Sequence, residues 1–281
     1  MALHMRAMPS LKHPRDFDAV IFDMDGILTD TAKVHAAAWK ALFDSYLSVR
    51  AVKYQEDFRP FTVDTDYLRY VDGKPRYDGI RSFLRSRGIE LPNGDHGDPP
   101  ERETVNALGD RKDRIFTEAL RRSGVEVFES SVKLIRQLQT IGIRRAVASS
   151  SKNCQLVLQI AGIEGLFEAR VDGIVSVELG LNGKPAPDIF LKCAELLQVS
   201  PQRCVVVEDA ISGVQAGRNG NFGLVIGVDR VGLGPTLKAN GADVVVPDLG
   251  GVSPGDIDQW CTAKRTQASI SSSEHGAAGP I

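Results

Sequence analysis

The sequence predicts an α/β protein, a doubly wound parallel sheet interrupted by an inserted α-helical domain. Two observations carry that expectation. Short apolar runs rich in Val and Ile recur at "AVIFDMD" (19–25), "RRAVASS" (144–150), "CVVVED" (204–209), "FGLVIGV" (222–228) and "ADVVVPD" (242–248), as expected of strands buried on both faces, with helical patterns between them. One interval breaks this rhythm: between Asp25 and Arg144 lies far more chain than the dozen or so residues a crossover requires.

In chain order, the first strand ends at the "DMDG" of residues 23–26 and the insertion follows. Residues 31–47, 64–71, 76–87 and 101–122 read as helices, the first with Val34, Ala38, Trp39, Leu42 and Phe43 at three-and-four spacing. The Pro- and Gly-rich stretch "LPNGDHGDPPERE" (91–103) reads as a loop. "SKNCQLVLQIAGI", "APDIFLKCAELLQV" and "DAISGVQAGRNG" then alternate with the later strands, each opened by a Ser, Asp or Pro. The expected organisation is a core of residues 16–32 and 124–265, a helical domain at 33–123, and disordered tails at 1–15 and 266–281, the last small, polar and aperiodic.

Composition bounds the function. With 281 residues, 42% hydrophobic, 25% charged and a net charge of −2, the chain has neither the basic excess of a nucleic-acid binder nor the ~20-residue apolar run of a membrane span. The first fifteen residues lack the apolar core of a signal peptide, and the four cysteines are scattered without a CxxC pair. A cytoplasmic protein acting on a small molecule is expected, with no nucleic-acid or membrane partner, as a monomer or a dimer.

The chemistry-bearing residues fall at the carboxyl ends of strands, where ligands sit in open α/β sheets. Asp23 and Asp25, two apart on a strand, should point the same way, with Met24 turned into the protein. Such a pair is tolerable if a cation lies between the carboxylates or if one of them holds a proton. Glu208 and Asp209 supply a second acidic pair, which reads as a helix cap by itself and as a hard oxygen cage for Mg²⁺ with the first. "ASSSKN" (148–153) places Ser149 between strand and helix, either as a cap or as an anion cradle. Lys184, in "NGKPAPDIF", is a loop lysine or a phosphate-neutralising charge.

Together, in this order, the DxDG start, the Ser strand end, the Lys-Pro turn and the acidic strand end resemble the haloacid dehalogenase superfamily of phosphohydrolases and phosphomutases over roughly residues 17–250. "FDMDGILTDTAKVHAAAWKALF", "ASSSKN", "GKPAPDIF" and "VEDAISGVQAG" are similar, within it, to the β-phosphoglucomutase-like family. The resemblance implies a Rossmann-like core with a helical cap inserted after the first strand. It implies Mg²⁺-dependent interconversion of β-D-glucose 1-phosphate and glucose 6-phosphate, with glucose 1,6-bisphosphate as intermediate and activator.

By the same resemblance, Asp23 is the nucleophile that becomes an aspartyl phosphate, and Asp25 the general acid and base. Asp23, Asp25, Glu208 and Asp209 hold the metal, Asp25 also through its backbone carbonyl. Ser149 and Lys184 grip the phosphoryl group, and the Lys184–Pro185 bond is cis. His35, on the first cap helix, hydrogen-bonds near Asp25 and couples cap closure to proton transfer, while Thr31 sits in the hinge. Arg76, Lys112, Ser151, Lys152 and Asn153 are candidates for the distal phosphate, each otherwise a solvated polar group; Trp39 is read as cap packing. A sugar-phosphate phosphatase of the same fold, with water as acceptor, is the alternative. A non-catalytic protein on this scaffold fits poorly with both Asp23 and Asp25 present. A phosphonatase would require a Schiff-base lysine among Lys33, Lys40, Lys53, Lys74 and Lys112, none of which is distinctive.

Overall fold

The computed structural model describes residues 15–71, 74 and 76–276. The six strands β1 (Ala19–Phe22), β2 (Arg144–Ala148), β3 (Ala169–Val171), β4 (Cys204–Glu208), β5 (Leu224–Val228) and β6 (Val244–Val246) form one sheet in the order β3-β2-β1-β4-β5-β6. All neighbouring pairs are parallel. β1, β4 and β5 are buried along their whole length, which is why their sequences run as unbroken apolar stretches. The helices that follow the insertion are α4 (Glu129–Thr140), α5 (Cys154–Ile160), α6 (Gly173–Glu178), α7 (Asp188–Leu196), α8 (Ile211–Asn219), α9 (Gly234–Ala239) and α10 (Pro254–Gly276). Ile189, Phe190 and Cys193 of α7 bury against Ile21, Ala146 and Val206 of the sheet in one apolar cluster.

The insertion holds α1 (Ala32–Tyr54), π-helical turns at Val63–Val71, α2 (Arg76–Ser86) and α3 (Val105–Ser123). It has its own core. Phe43, Phe61 and Phe83 meet with ring centroids 4.2–5.1 Å apart, and Trp39 stacks on Phe43 at 5.3 Å. Trp39 is therefore a packing residue.

The chain divides into two compact units, a sheet-bearing one with its breaks at Leu28, Phe128, Cys154 and Ile163, and a helical one of Thr29–Val127 and Gln155–Gly162. The expected insertion at 33–123 is thus widened at both ends. The reason is local: Thr29 bridges Val127 in antiparallel sense, and Asp30 N donates to Glu126 O at 3.0 Å.

Several element bounds differ from expectation. α1 runs seven residues past the predicted end at 47, because helix propagation continues through "SVRAVKY" although Val49 and Val52 are exposed and the apolar stripe has stopped. α3 begins later than predicted, where Thr104 caps it by accepting from Ala107 N at 3.1 Å. β3 was not foreseen: it is three residues long, lies at the sheet edge and carries Arg170 mid-strand. The expected disorder from 266 onward is corrected through Gly276, where the backbone of α10 continues as helix from turns anchored by buried Ile257 and Cys261. The expected N-terminal tail lies outside the described residues, except for Arg15. No helix among the described residues is long and apolar enough to cross a membrane.

Candidate active site

β1 lies between β2 and β4, where the strand order reverses direction along the sheet. At such a switch point the crossovers leave on opposite sides and open a crevice beyond the carboxyl ends. Phe22 pairs with Val147 on one side and Val207 on the other, so Asp23 stands level with Ala148 and Glu208, and Ser149 one residue beyond. β1 itself ends before the acidic pair. Asp23 adds one further ladder bond, its N–H donating to Val207 O at 2.9 Å, and Met24 is fully buried as expected.

Buried Asp23 and Glu208 make a closed ion cluster with Lys184. Lys184 Nζ donates to Asp23 Oδ1 and to Glu208 Oε1, both at 2.6 Å. Glu208 Oε2 accepts from Asp209 N and Ala210 N at 2.9 Å each, which fixes the carboxylate plane. The Lys184–Pro185 peptide is cis, as the resemblance implied. Carboxylate oxygens of Asp23, Glu208 and Asp209 lie within 4.8 Å of one another. The carboxylate of Asp25 falls outside this cluster.

Two glycines make room for the acids. A Cβ on Gly26 would lie 1.8 Å from Asp209 Oδ2, and the residue has φ of +79°. A Cβ on Gly213 would lie 1.9 Å from Glu208 Oε1. The sequence reading did not single out Gly213; its signal is the small residue five positions after the glutamate, where α8 returns over it.

The electrostatics are those of an anion excess. Burial pushes Asp23 well above the ordinary carboxylate range, against the pull of Lys184 and with Glu208, Asp209 and Asp25 adding to the rise. Burial likewise raises Asp209 to about 7, with Glu208 and Asp25 as further causes. Burial alone would lower Lys184, but Asp23 and Glu208 hold it above the usual lysine value. Three carboxylates facing one ammonium fit a divalent cation of the Mg²⁺ type, whose hard charge and preference for oxygen donors match this set. Ser149 is buried, and its Oγ accepts from Ser151 N at 3.1 Å, which leaves its O–H to donate.

The remaining predicted residues group differently. Lys152 is exposed in the turn before α5, and Asn153 N donates to Ser151 Oγ at 3.2 Å. In the helical unit, Thr31 is fully buried at the N-cap of α1, its carbonyl accepting from His35 N at 2.9 Å. His35 Nδ1 lies 2.8 Å from Lys112 Nζ, so the imidazole accepts and the ammonium donates. The ring stacks on Phe116 at 4.0 Å, while Lys112 Nζ sits 4.4 Å from that ring and 5.3 Å from Trp39. Burial, then the charges of Lys112 and Arg76, push His35 well below its ordinary value and keep it neutral. Arg76 pairs with Asp113 at 2.6 Å. The resemblance implied a hydrogen bond of His35 near Asp25; within the helical unit its Nδ1 lies against Lys112 Nζ.

A haloacid dehalogenase-like hydrolase family model matches residues 17–221. A β-phosphoglucomutase of Mycobacterium tuberculosis is 48% identical over 239 residues, covering 84% of this chain and 91% of the relative. A β-phosphoglucomutase of Bacillus subtilis is 33% identical over 229 residues, covering 81% and 88%. Among solved structures, a β-phosphoglucomutase from Clostridium difficile superposes with a TM-score of 0.67 at 25% identity, covering 89% of this chain and 99% of that one. The strand-end carboxylates, their lysine and these relatives make the chain a member of the haloacid dehalogenase-like hydrolase family, grouped with its β-phosphoglucomutases.

Proposed function

We propose that the protein is a Mg²⁺-dependent β-phosphoglucomutase, interconverting β-D-glucose 1-phosphate and glucose 6-phosphate through β-glucose 1,6-bisphosphate. The observation that carries this reading is the 48% identity with a β-phosphoglucomutase over most of both chains, since a phosphatase would use the same core cluster. Asp23 Oδ attacks phosphorus, the phosphorus–oxygen bond to the sugar breaks, and Asp25 gives the departing oxygen its proton. In the return step Asp25 takes the proton of the other sugar hydroxyl as that oxygen attacks the aspartyl phosphate. Lys184, kept charged by its two carboxylates, and the Ser149 hydroxyl hold the phosphoryl oxygens in line.

Asp23, Glu208, Asp209 and the Asp25 carbonyl would hold Mg²⁺, which when bound neutralises charge on the transferring group. Arg76, Lys112, Ser151, Lys152 and Asn153 are proposed to grip the second phosphate, with Thr31 in the hinge and His35 holding Lys112 through its neutral ring. The substrate is a small sugar phosphate, and nucleic acid and membrane are not proposed as partners. A cytoplasmic location fits the four cysteines, all of them free thiols.

The deciding assay supplies purified protein with Mg²⁺, β-glucose 1-phosphate and a trace of glucose 1,6-bisphosphate, and follows glucose 6-phosphate and inorganic phosphate together. Glucose 6-phosphate with little free phosphate is expected. Free phosphate in step with substrate loss would make the protein a sugar phosphatase instead.

A further inference from the structure

The loop that carries Asp25 is held through its backbone. Met24 O accepts from Leu28 N at 2.8 Å, Ile27 O from the buried Ser131 hydroxyl at 2.6 Å, and Leu28 O from Phe128 N at 3.0 Å. The Gly26 carbonyl, next along the chain from Asp25, is taken by a side chain 204 positions away: Arg230 Nε donates to it at 3.0 Å. This is the charged side chain among those donors.

Arg230 is itself braced. Asp229, just before it, accepts from the backbone N–H groups of Val231, Gly232, Leu233 and Gly234, which makes a stiff turn at the end of β5. The guanidinium carbon lies 3.8 Å from the centroid of the Phe128 ring, and Nη1 pairs with Asp248 Oδ2. Asp248 in turn accepts from the Ser130 hydroxyl at 2.8 Å and from Gly250 N at 2.6 Å. One side chain therefore touches the outgoing chain at Gly26 and the returning chain at Phe128. Its Nη2 is buried with no acceptor among the described residues. An orphaned buried donor costs stability, so fold stability alone is a poor reason for an arginine here.

We infer that Arg230 is a positioning residue, fixing the Gly26 carbonyl so that the Asp25 carboxyl meets the leaving oxygen of the sugar phosphate. The inference rests on the proton-transfer role of Asp25 in the proposed function. It makes a distinction by leaving group. When Asp23 attacks acetyl phosphate, the phosphorus–oxygen bond breaks and acetate departs as a stable anion that requires no proton. When it attacks a sugar phosphate, the departing alkoxide must receive one. Loss of Arg230 should slow the second reaction and spare the first.

The experiment compares the full-length Mg²⁺-loaded protein with Arg230→Ala and Arg230→Lys. Two rates are read: formation of the phosphorylated protein from acetyl phosphate, followed by intact mass, and turnover of glucose phosphate. For Arg230→Ala, kcat on the sugar phosphate is expected to fall about 10- to 100-fold with KM little changed, while phosphorylation by acetyl phosphate stays within about threefold. Arg230→Lys keeps a cation over Phe128 without the second donor and should fall between the two; it is the variant to read if Arg230→Ala does not fold. Equal losses in both reactions, or no loss in either, would overturn the inference. If the wild-type protein proves to be a phosphatase, the same comparison is read as phosphate release, so the mutase reading can fail without deciding the role of Arg230.

Discussion

The two clusters of titratable side chains are opposites. In the sheet-bearing unit, Asp23 and Glu208 hold Lys184 with Asp209 close beside them, and burial drives Asp23 and Asp209 toward their neutral forms. In the helical unit, Lys112 and Arg76 flank a histidine that burial and their charge keep unprotonated. The first cluster lacks positive charge and the second repels it. The first imbalance is the sort that a divalent cation relieves, whereas in the second Asp113 offsets the charge of Arg76.

The largest expected effect separates chemistry from structure. Asp23→Asn should cost at least about 10⁴-fold in turnover while leaving the circular dichroism of the folded chain unchanged. Activity surviving that change would break the assignment of the sheet-bearing cluster as the reaction centre.

Lys184→Ala comes next. Removing one partner of a buried ion cluster should destabilise the protein by about 3–5 kcal/mol, with part of the loss recovered in Mg²⁺ because a cation again faces the carboxylates. Denaturant unfolding with and without Mg²⁺ measures it, and a loss indifferent to the metal would contradict the charge-deficit picture.

The helical unit should respond more mildly. Lys112→Met keeps a chain of similar length between Trp39 and Phe116, so stability should change by less than about 1.5 kcal/mol. With its cationic neighbour gone, His35 should titrate closer to the usual histidine value of 6.5 yet still below it, since burial is the larger cause. Imidazole NMR titration tests this directly.

The smallest effect is a pH slope. The folded-state value of His35 is depressed, so the unfolded chain takes up the proton first as pH falls. The contribution is full above 6.5 and is lost progressively as pH drops from there toward the folded value. The difference in unfolding midpoint between the wild type and His35→Gln, read from about pH 8 to pH 5, should carry that slope, because the raised carboxylates Asp23 and Asp209 titrate alike in both.

What could be read from the sequence follows from what each residue needs locally. β1, β4 and β5 were legible because burial on both faces demands apolar residues without a break. Asp23, Glu208 and Asp209 stood out because acids after such runs conflict with burial unless something compensates. β3 was not legible, since a three-residue edge strand with Arg170 in it has no period to detect. Nor was the Arg230 contact, because nothing near Arg230 in sequence refers to Gly26. The pairing of His35 with Lys112 escaped for the same reason: helical spacing places each on a face without saying which faces meet.

The position of β1 in the middle of the sheet has a consequence for biosynthesis. Lys184 is made 161 residues after Asp23, and Glu208 a further 24 after Lys184. At ribosomal speeds of about 5–20 residues per second, Asp23 waits on the order of ten seconds or more for the groups that surround it. No fragment ending before β4 can assemble the cluster, so a nascent chain acquires its reactivity only when most of the sheet has been translated. Premature termination should therefore yield inert polypeptide and no unregulated phosphoryl transfer.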